Sequence, residues 1–239
     1  MVGGYVKYGK GYSDSEALLM KQVYGVWFPE DDTHFENGFM HENGDYQRDT
    51  FNYAMSYVKE PKIFYDIGAH VGLWSLMAHR AGFKEVHAYE PNPKTFVCLK
   101  KNLEGKAITY NFGVAPTKNL MHIIEESPGN SGAVKLAISE TQAQCDDKSF
   151  SKYVLPISSL NIHMCIDRLK IEPHECLVKI DTEGMEAECV LGMDKILYAL
   201  RPVVCVEQRT NEDALKILQQ MGMVIQKKVR KDWILTWKN

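Results

Sequence analysis

The chain has 239 residues, of which 45% are hydrophobic and 25% are charged, and its formal net charge is -3 at pH 7. These ordinary globular values exclude a disordered chain, a collagen-like repeat and a coiled coil, and the length fits one large domain or one domain with an extension. The slightly acidic balance gives no general attraction for nucleic acid, so a nucleic-acid partner is not expected.

The spacing of the cysteines and the lengths of the apolar runs indicate in which cellular compartment the protein is expected. The six cysteines are scattered without a CxxC pair, so neither a zinc knuckle nor a thioredoxin-type motif is expected. Residues 1–10 lack the apolar segment of a signal peptide, and no apolar run approaches the ~20 residues of a membrane helix. We therefore expect a cytoplasmic protein with reduced, buried cysteines and no membrane partner.

The composition changes near residue 60, which divides the chain into two expected parts. Residues 1–60 are rich in tyrosine, phenylalanine, glycine and acids and are expected to form an N-terminal extension or cap. Residues 61–239 carry the aliphatic runs of a main domain. Within the extension, one face of a predicted helix is expected to pack on the sheet domain or to cover its active-site edge; it carries Tyr46, Thr50, Tyr53, Ala54 and Tyr57.

Strand and helix patterns alternate from residue 63 onwards. A helix with Leu73 on its apolar face follows the first strand, and a helix with Asn92 as its N-cap and Pro93 as its first residue follows the second. This order predicts a parallel sheet with crossover helices. The three predicted strands are short apolar runs at 63–67, 85–89 and 108–114.

The second half of the main domain continues the sheet and then reverses it. A strong loop signal at 127–132 separates two predicted strands, and only three residues separate the last two, which permits an antiparallel hairpin alone. The fold class is therefore α/β, a mainly parallel sheet with an antiparallel pair at its end. The predicted strands are 120–124, 153–157, 176–181, 203–207, 223–229 and 233–237, and the predicted helices are 187–200 and one that starts at 210–213 and ends at 222.

A glycine loop follows the first of these strands. It reads Asp66-Ile67-Gly68-Ala69-His70-Val71-Gly72, a DxGxxxG spacing that differs from the dinucleotide fingerprint GxGxxG. Glycines allow the backbone to turn sharply and to approach a ligand, and parallel sheets bind ligands at this edge. Asp66 suits a ligand amine better than a pyrophosphate. Taken alone, the loop is equally compatible with a plain strand-to-helix turn.

An acid after the second strand makes the glycine loop more informative. Glu90 follows Gly68 by 22 residues, and a carboxylate at that place accepts hydrogen bonds from ribose hydroxyls. The two features together indicate a nucleoside with a cationic tail and no required phosphate. S-adenosylmethionine fits that description.

A third acidic stretch, Lys179-Ile180-Asp181-Thr182-Glu183-Gly184-Met185-Glu186, follows a strand at the same sheet edge. Its acids can orient an acceptor hydroxyl, act as a base, bind a metal or cap the next helix. The capping alternative weighs most for Glu186, because acids near a helix N-terminus are favourable on electrostatic grounds alone.

These three stretches resemble the FkbM family of S-adenosylmethionine-dependent methyltransferases. The resemblance covers roughly residues 60–210 and rests on residues 66–72, 89–93 and 179–184; the last of these points to FkbM rather than to other class I methyltransferases. It implies a seven-stranded Rossmann-like sheet with helices on both faces. It also implies O-methylation of a sugar or natural-product hydroxyl.

The resemblance also implies roles for single residues. Asp181 and Glu183 face the acceptor, and the expected catalytic candidates are Asp181, Glu183 and His70, in that order. No metal is assigned in this reading, although Asp181, Glu183 and Glu207 offer oxygen ligands for a divalent cation as an alternative. The expected cofactor-binding residues lie in three places. Asp66, Gly68 and Gly72 hold the methionine end, with His70 in the same loop; Glu90 takes the ribose and is followed by Pro91; Asn111 and Ser131 lie near the adenine.

Two other functions compete with this prediction. One is a non-catalytic nucleoside-binding module that kept the fold and lost the reaction; the intact Asp66, Gly68 and Glu90 argue against it. The other is a nicotinamide-dependent dehydrogenase, which the missing GxGxxG disfavours. The acceptor is expected to be a small molecule or a carbohydrate, and these residues do not indicate an oligomeric state.

Overall fold

The computed structural model describes most of the chain. Predictions that fall on residues 127–128, 156–157 and 210–211, and on Cys145 and Cys165, lie outside the described residues. The described residues are 19–34, 37, 39, 45–125, 129–132, 134–138, 150–155, 169–208 and 212–238.

Helices and strands alternate along the described residues largely as the sequence predicts. The helices are α1 (Arg48–Met55), α2 (Leu73–Arg80), α3 (Pro93–Asn102), α4 (Glu186–Gly192), α5 (Asp194–Leu200) and α6 (Asp213–Gln220). The strands are β1 (Met20–Val23), β2 (Val26–Pro29), β3 (Ile63–Ile67), β4 (Glu85–Tyr89), β5 (Ile108–Tyr110), β6 (Gly113–Val114), β7 (Asn119–Glu125), β8 (Val134–Ile138), β9 (Phe150–Leu155), β10 (Cys176–Ile180), β11 (Val203–Glu207), β12 (Met223–Val229) and β13 (Asp232–Trp237).

The central sheet has seven strands in the order β12-β13-β11-β10-β3-β4-β5. Neighbouring strands pair in parallel, except that β13 runs antiparallel to both β11 and β12. This confirms the Rossmann-like, mainly parallel sheet with an antiparallel C-terminal hairpin. The strand order reverses between β3 and β10, which is where open sheets of this kind leave a crevice for ligands.

Both faces of the sheet are covered by helices, as expected. On one face, buried side chains of β3, β10 and β11 pack against α4, α5 and α6. On the other, Phe64 and Leu177 pack against Phe51 of α1 and Trp74 of α2. The helix predicted in the N-terminal part is therefore α1, and it packs on the sheet. It contains Thr50, Tyr53 and Ala54 of the predicted face, whereas Tyr46 and Tyr57 lie beyond its ends.

Two predicted elements differ from the structure. The predicted strand 108–114 is two strands, β5 and β6, which belong to different sheets. The chain turns between them because the side-chain amide of Asn111 donates to the carbonyl groups of Glu90 and Pro91, at 2.8 and 3.2 Å. Strand β6 instead joins a four-stranded sheet, β6-β9-β7-β8, in which β8 was not predicted.

The predicted helix 187–200 is likewise two helices, α4 and α5, joined at Met193. The reason is a close backbone contact at Gly192. A Cβ atom there would lie 2.6 Å from the carbonyl carbon of Ala115, so a glycine is required where the helix meets the end of β6. Glycine also weakens a helix, so the break falls naturally beside it.

The described part of the predicted N-terminal extension shares a core with the main domain. Strands β1 and β2 form an antiparallel hairpin, and the side chain of Phe28 is fully buried against α3. The Asn102 side chain accepts from the backbone N–H of Trp27 at 2.8 Å and donates to the carbonyl oxygens of Trp27 and Val71, at 3.0 and 2.8 Å. The division of the chain at residue 60 stays a prediction.

The expectations about the cysteines and about membrane-spanning helices can be compared with the structure. Cys98, Cys176, Cys189 and Cys205 are free and buried, as predicted for small apolar residues. Within the described ranges, no helix combines the length and the apolar character needed to cross a bilayer.

Replacement of Phe28 by alanine tests whether the β1–β2 hairpin belongs to the folded core. We expect Phe28→Ala to lower the free energy of unfolding by about 3–5 kcal/mol, because a fully buried ring is lost and a cavity remains. Leu19→Ala, at a half-exposed side chain next to the hairpin, should change it by less than about 0.5 kcal/mol. Denaturant unfolding measures both values, and equal small effects would mean that the hairpin does not share the core.

Candidate functional site

Two adjoining cavities open at the carboxyl ends of β3, β4 and β10. The first lies between the glycine loop, the end of β4 and the segment that follows β10. The second has a volume of about 280 Å³ and extends towards the β12–β13 hairpin. Five residues line both cavities and so mark the boundary between them: Gly68, His70, Gly132, Asp181 and Glu183.

Gly68 is where the ends of the strands meet most closely. Its φ of 79° is in the left-handed region, and a Cβ atom there would overlap the carbonyl oxygen of Asp181. The backbone N–H groups of Gly68 and Ala69 both donate to the carbonyl oxygen of Tyr89, at 3.0 and 2.9 Å. The glycine thus lets the ends of β3, β4 and β10 come together around the first cavity.

Gly72 has a different role from Gly68. It precedes α2 with a φ of 92°, and a Cβ atom there would lie 2.8 Å from Leu99 Cδ1. It packs against α3 and is not among the residues that line the two cavities. Its effect on a ligand is therefore indirect, through the position of α2.

Glu90 is buried beside the first cavity. Its Oε2 accepts from the backbone N–H of His70 and its Oε1 accepts from the backbone N–H of Asn92, each at 2.8 Å. Burial raises the pKa of Glu90 to about 7, and these two hydrogen bonds oppose the shift. A carboxylate oxygen accepts more than one hydrogen bond, so both oxygens retain acceptor capacity for hydroxyl groups. Pro91, the next residue, lines the same cavity.

Asp66 is buried at the second cavity. The hydroxyl of Ser75 donates to its Oδ2 at 2.6 Å. Burial raises the pKa of Asp66 to about 6, while the Ser75 hydrogen bond and the positive charge of Lys179 act in the opposite direction. A cationic group bound here would further favour the ionised carboxylate.

His70 stands between the two cavities with a φ of 52°. Its Nε2 is 2.6 Å from the hydroxyl oxygen of Ser131. The Ser131 hydroxyl in turn donates to Asp32, a buried acid that the sequence analysis did not single out. Burial lowers the pKa of His70 to about 4, although Asp32 and Asp181 oppose this, so the imidazole is neutral at pH 7.

Asn111 supports the site from outside it. Its amide holds the carbonyl groups of Glu90 and Pro91 in place, as described above, and it is not among the residues that line the first cavity. Ser131, by contrast, lines that cavity directly.

A buried lysine lies below the predicted acceptor residues. The Lys179 ammonium is 3.2 Å from Asp181 Oδ2, 2.5 Å from Asp232 Oδ1 and 5.1 Å from the ring centre of Trp74. Burial disfavours its charge, but Asp181 and Asp232 outweigh this and raise the pKa of Lys179 well above its usual value. A signal for it existed in the sequence, because a lysine inside the apolar strand β10 needs a buried partner.

The acids after β10 serve different purposes. Glu186 Oε1 accepts from the backbone N–H groups of Gly184 and Thr182, at 2.9 and 3.2 Å, so it supports the turn before α4. These donors precede the helix, and no side chain in the described part of the protein caps its first N–H groups, so the capping role expected for Glu186 is not the one that the structure shows. Carboxylate oxygens of Asp181, Glu183 and Glu207 lie within 4.8 Å of one another. This group faces the second cavity and suits hydrogen bonding to several hydroxyl groups of one ligand.

The wall of the second cavity combines aromatic and basic groups. Tyr46 and Trp74 contribute rings, and the indole N–H of Trp74 donates to Gln47 Oε1 at 2.7 Å. Arg230 and Lys231 line the side formed by the β12–β13 turn. These two residues belong to a short basic run in the sequence, and the structure places them beside the site.

A family match confirms the resemblance found in the sequence. The sequence matches the family described as "Methyltransferase FkbM domain" over residues 66–228. That stretch contains Asp66, Glu90, Asp181 and Glu183. The hexuronic acid methyltransferase AglP of Haloferax volcanii is 22% identical over 161 residues, which cover 66% of this chain and 61% of that protein. This chain therefore spans less than two thirds of that relative's length.

Solved structures similar to this chain include two further methyltransferases. The methyltransferase FkbM of Methylobacillus flagellatus KT has 16% identity and a TM-score of 0.45, and the match covers 75% of this chain and 44% of that chain. The magnesium protoporphyrin IX methyltransferase of Synechocystis has 9% identity and a TM-score of 0.47, with 87% and 86% covered.

Removal of the Lys179 charge tests the buried ion cluster. We expect Lys179→Met to lower the free energy of unfolding by roughly 3–5 kcal/mol, because Asp232 is left buried without its cation. The double variant Lys179→Met/Asp232→Leu should recover part of that loss. Lys216→Met removes an exposed lysine that pairs with Asp213 on α6, and little change is expected. Similar unfolding curves for the variants at positions 179 and 216 would contradict the cluster.

Proposed function

Because this chain belongs to the FkbM methyltransferase family, we propose that it transfers a methyl group from S-adenosylmethionine to a hydroxyl group of a sugar, a glycan or a small metabolite. The observation that carries this proposal is the meeting of two cavities at His70, Asp181 and Glu183. The first cavity contains Glu90, an acid placed to bind ribose hydroxyls. The second contains a group of carboxylates suited to an acceptor with several hydroxyl groups.

The first cavity is assigned to the nucleoside. Glu90 accepts hydrogen bonds from the ribose hydroxyls, with Pro91, His70 and Ser131 around it. At the second cavity, Asp66 receives the ammonium group of the methionine part. Gly68 permits the close approach of the backbone, while Gly72 and Asn111 support the site indirectly by placing α2 and the loop after β4.

The cofactor supplies the reactive methyl group on a sulfonium, so the main task of the protein is to place the acceptor oxygen in line with it. Such positioning is worth about 7–11 kcal/mol of barrier. Asp181 accepts the hydrogen bond of the acceptor hydroxyl and thereby aims its oxygen. The charge-assisted hydrogen bond from Lys179 holds the Asp181 side chain in position.

The acceptor hydroxyl loses its proton as the new carbon–oxygen bond forms, and a base beside it contributes typically ~10²–10⁴-fold. Asp181, Glu183 and His70 border both cavities and are the candidates for this proton. Burial lowers the pKa of His70 to about 4 and so disfavours the protonated imidazole, which keeps His70 last among the three candidates.

The choice of a carbohydrate acceptor draws on two observations. The group formed by Asp181, Glu183 and Glu207 offers several hydrogen-bond acceptors close together, as a polyhydroxylated ligand requires. In addition, the relative from Haloferax volcanii carries the name of a hexuronic acid methyltransferase. The alternative function, a non-catalytic nucleoside-binding module, requires no such group of hydrogen-bond acceptors beside the first cavity.

Calorimetric titration of S-adenosylmethionine and S-adenosylhomocysteine tests the cofactor assignment. We expect micromolar binding by the wild type and loss of at least about tenfold in affinity for Glu90→Ala, because the ribose hydroxyls lose a charged acceptor. Glu104→Ala, in the exposed turn that follows α3, is the control and should bind as the wild type does. Absence of binding by the folded wild type would remove the proposed function.

The pH dependence of the measured affinity tests whether Glu90 is the group that binds the ribose. Its pKa of about 7 means that the carboxyl group is mostly protonated at pH 6 and mostly ionised at pH 8. Ribose hydroxyls prefer the ionised acceptor, so affinity should rise with pH by up to about tenfold over this range, with release of a proton near pH 7. Glu90→Gln should retain only the shallower dependence that comes from Asp66, whose pKa is about 6.

Turnover tests the role of Asp181. We expect Asp181→Asn to reduce kcat by about 10²-fold or more while the affinity for S-adenosylhomocysteine changes little. The reason is that the variant loses the group that orients the acceptor hydroxyl, not one that binds the cofactor. Transfer of a radioactive methyl group to p-nitrophenyl β-D-glucuronide and p-nitrophenyl β-D-glucoside provides the assay. Asp194→Asn, at the start of α5, is the control. Normal turnover of Asp181→Asn would show that the assignment is wrong.

A further inference from the structure

A buried carboxylate from the N-terminal part of the chain reaches the first cavity. Asp32 follows strand β2, lies before the family-matched stretch 66–228 and is 1% exposed. Its Oδ2 accepts from both the hydroxyl and the backbone N–H of Ser131, the latter at 3.3 Å. Ser131 lines the first cavity, so the acid acts directly on a residue of the candidate nucleoside site.

The hydrogen-bond directions continue from Ser131 to His70. A serine hydroxyl has one proton, and here it is donated to Asp32. The Ser131 oxygen therefore accepts from His70 Nε2, 2.6 Å away, which places the proton of the neutral imidazole on Nε2. The acid thus selects one tautomer of His70 through the serine.

The backbone of His70 links this arrangement to Glu90, the acid proposed to bind the ribose. The His70 N–H donates to Glu90 Oε2 at 2.8 Å, while the left-handed φ of 52° at His70 is held by these contacts on either side. Hydrogen bonds therefore connect Asp32 through Ser131 to the side chain of His70, and the backbone of the same residue binds Glu90.

A second set of contacts closes the loop of Ser131 against the segment of Asp32. The backbone N–H groups of Thr33 and His34 both donate to the carbonyl oxygen of Gly129, at 2.9 and 3.1 Å. Gly129 has a φ of 76°, and a Cβ atom there would lie 3.0 Å from Thr33 Oγ1. The loop 129–132 is thus held over the first cavity from the N-terminal side.

We propose that Asp32 is a positioning residue for the nucleoside of S-adenosylmethionine: through Ser131 it fixes His70, and with His70 the carboxylate of Glu90, in the arrangement that binds the ribose. This proposal rests on the proposed function, since it assumes that the first cavity takes the nucleoside. It assigns to the N-terminal part of the chain a share in cofactor binding, from a region outside the family-matched stretch.

The neighbouring acid provides a matched control. Asp31 lies one residue earlier, and its side chain is 67% exposed and 3.9 Å from the Lys94 ammonium. Asp31→Asn removes the same charge from the same segment without touching Ser131. Any effect that comes from the net charge of the segment should appear in this variant as well.

Titration of S-adenosylhomocysteine, followed by calorimetry, tests the proposal. We expect Asp32→Asn and Ser131→Ala each to weaken binding about tenfold, because each breaks the same buried hydrogen-bond chain. The double variant should be little weaker than the worse single variant, since both changes remove one connection. Ser131→Thr keeps the hydroxyl and should restore most of the affinity, and Asp31→Asn should bind within about twofold of the wild type.

A spectroscopic measurement separates positioning from a general loss of structure. Imidazole ¹⁵N chemical shifts of the labelled protein, assigned with His70→Gln, should report the Nε2-protonated tautomer in the wild type. Ser131→Ala should lose this preference while its thermal unfolding stays close to that of the wild type. If Asp32→Asn fails to fold, the comparison of Ser131→Ala with Ser131→Thr decides.

The possible outcomes distinguish the two proposals. A folded wild type that does not bind S-adenosylhomocysteine overturns the proposed function and this inference with it. A wild type that binds, with Ser131→Ala and every folded Asp32 variant binding equally well, overturns the inference alone. Equal weakening by Asp31→Asn also overturns it, because the effect would then belong to the charge of the segment.

Discussion

The architecture of the site depends on one close contact between backbones. At Gly68 the chain leaves β3 in a left-handed conformation, and the carbonyl group of Asp181 occupies the space that a Cβ atom would fill. This contact brings the end of β10 against the end of β3, at the place where the strand order reverses. Asp181 and the acids after it can border the glycine loop only because residue 68 has no side chain larger than a hydrogen atom. A crevice with two adjoining cavities follows from it.

Buried charges give this crevice its chemistry. Asp66, Glu90 and Lys179 are all largely removed from water, and each is held by specific partners: a serine hydroxyl, two backbone N–H groups and two aspartates, respectively. Burial raises the pKa values of both acids, so their ionisation becomes sensitive to what binds beside them. Charges arranged in this way cost stability in the empty protein, and a ligand of opposite polarity or with hydroxyl groups recovers part of that cost.

The N-terminal part of the chain takes part in both the core and the site. The ring of Phe28 packs on α3, and Asn102 binds the backbone of the hairpin and of the glycine loop together. The hairpin therefore helps to hold in place the glycine loop that contains His70. The contact between Asp32 and Ser131 extends the same arrangement over the first cavity. The family-matched stretch begins at Asp66, so these contacts come from residues that precede it.

Local patterns in the sequence are enough to predict the succession of strands and helices that build the central sheet, the antiparallel hairpin at its end, and the acids and glycines at the strand ends. Those features follow from local signals: apolar periodicity, caps, glycines and the number of residues between strands. The folded chain was needed to show that 108–114 splits at Asn111, that Gly192 divides a helix, and that Lys179 and Asp32 are buried partners of Asp181 and Ser131. Each of these depends on contacts between residues far apart in the chain, and a local pattern contains no information about which distant group will fill a given space.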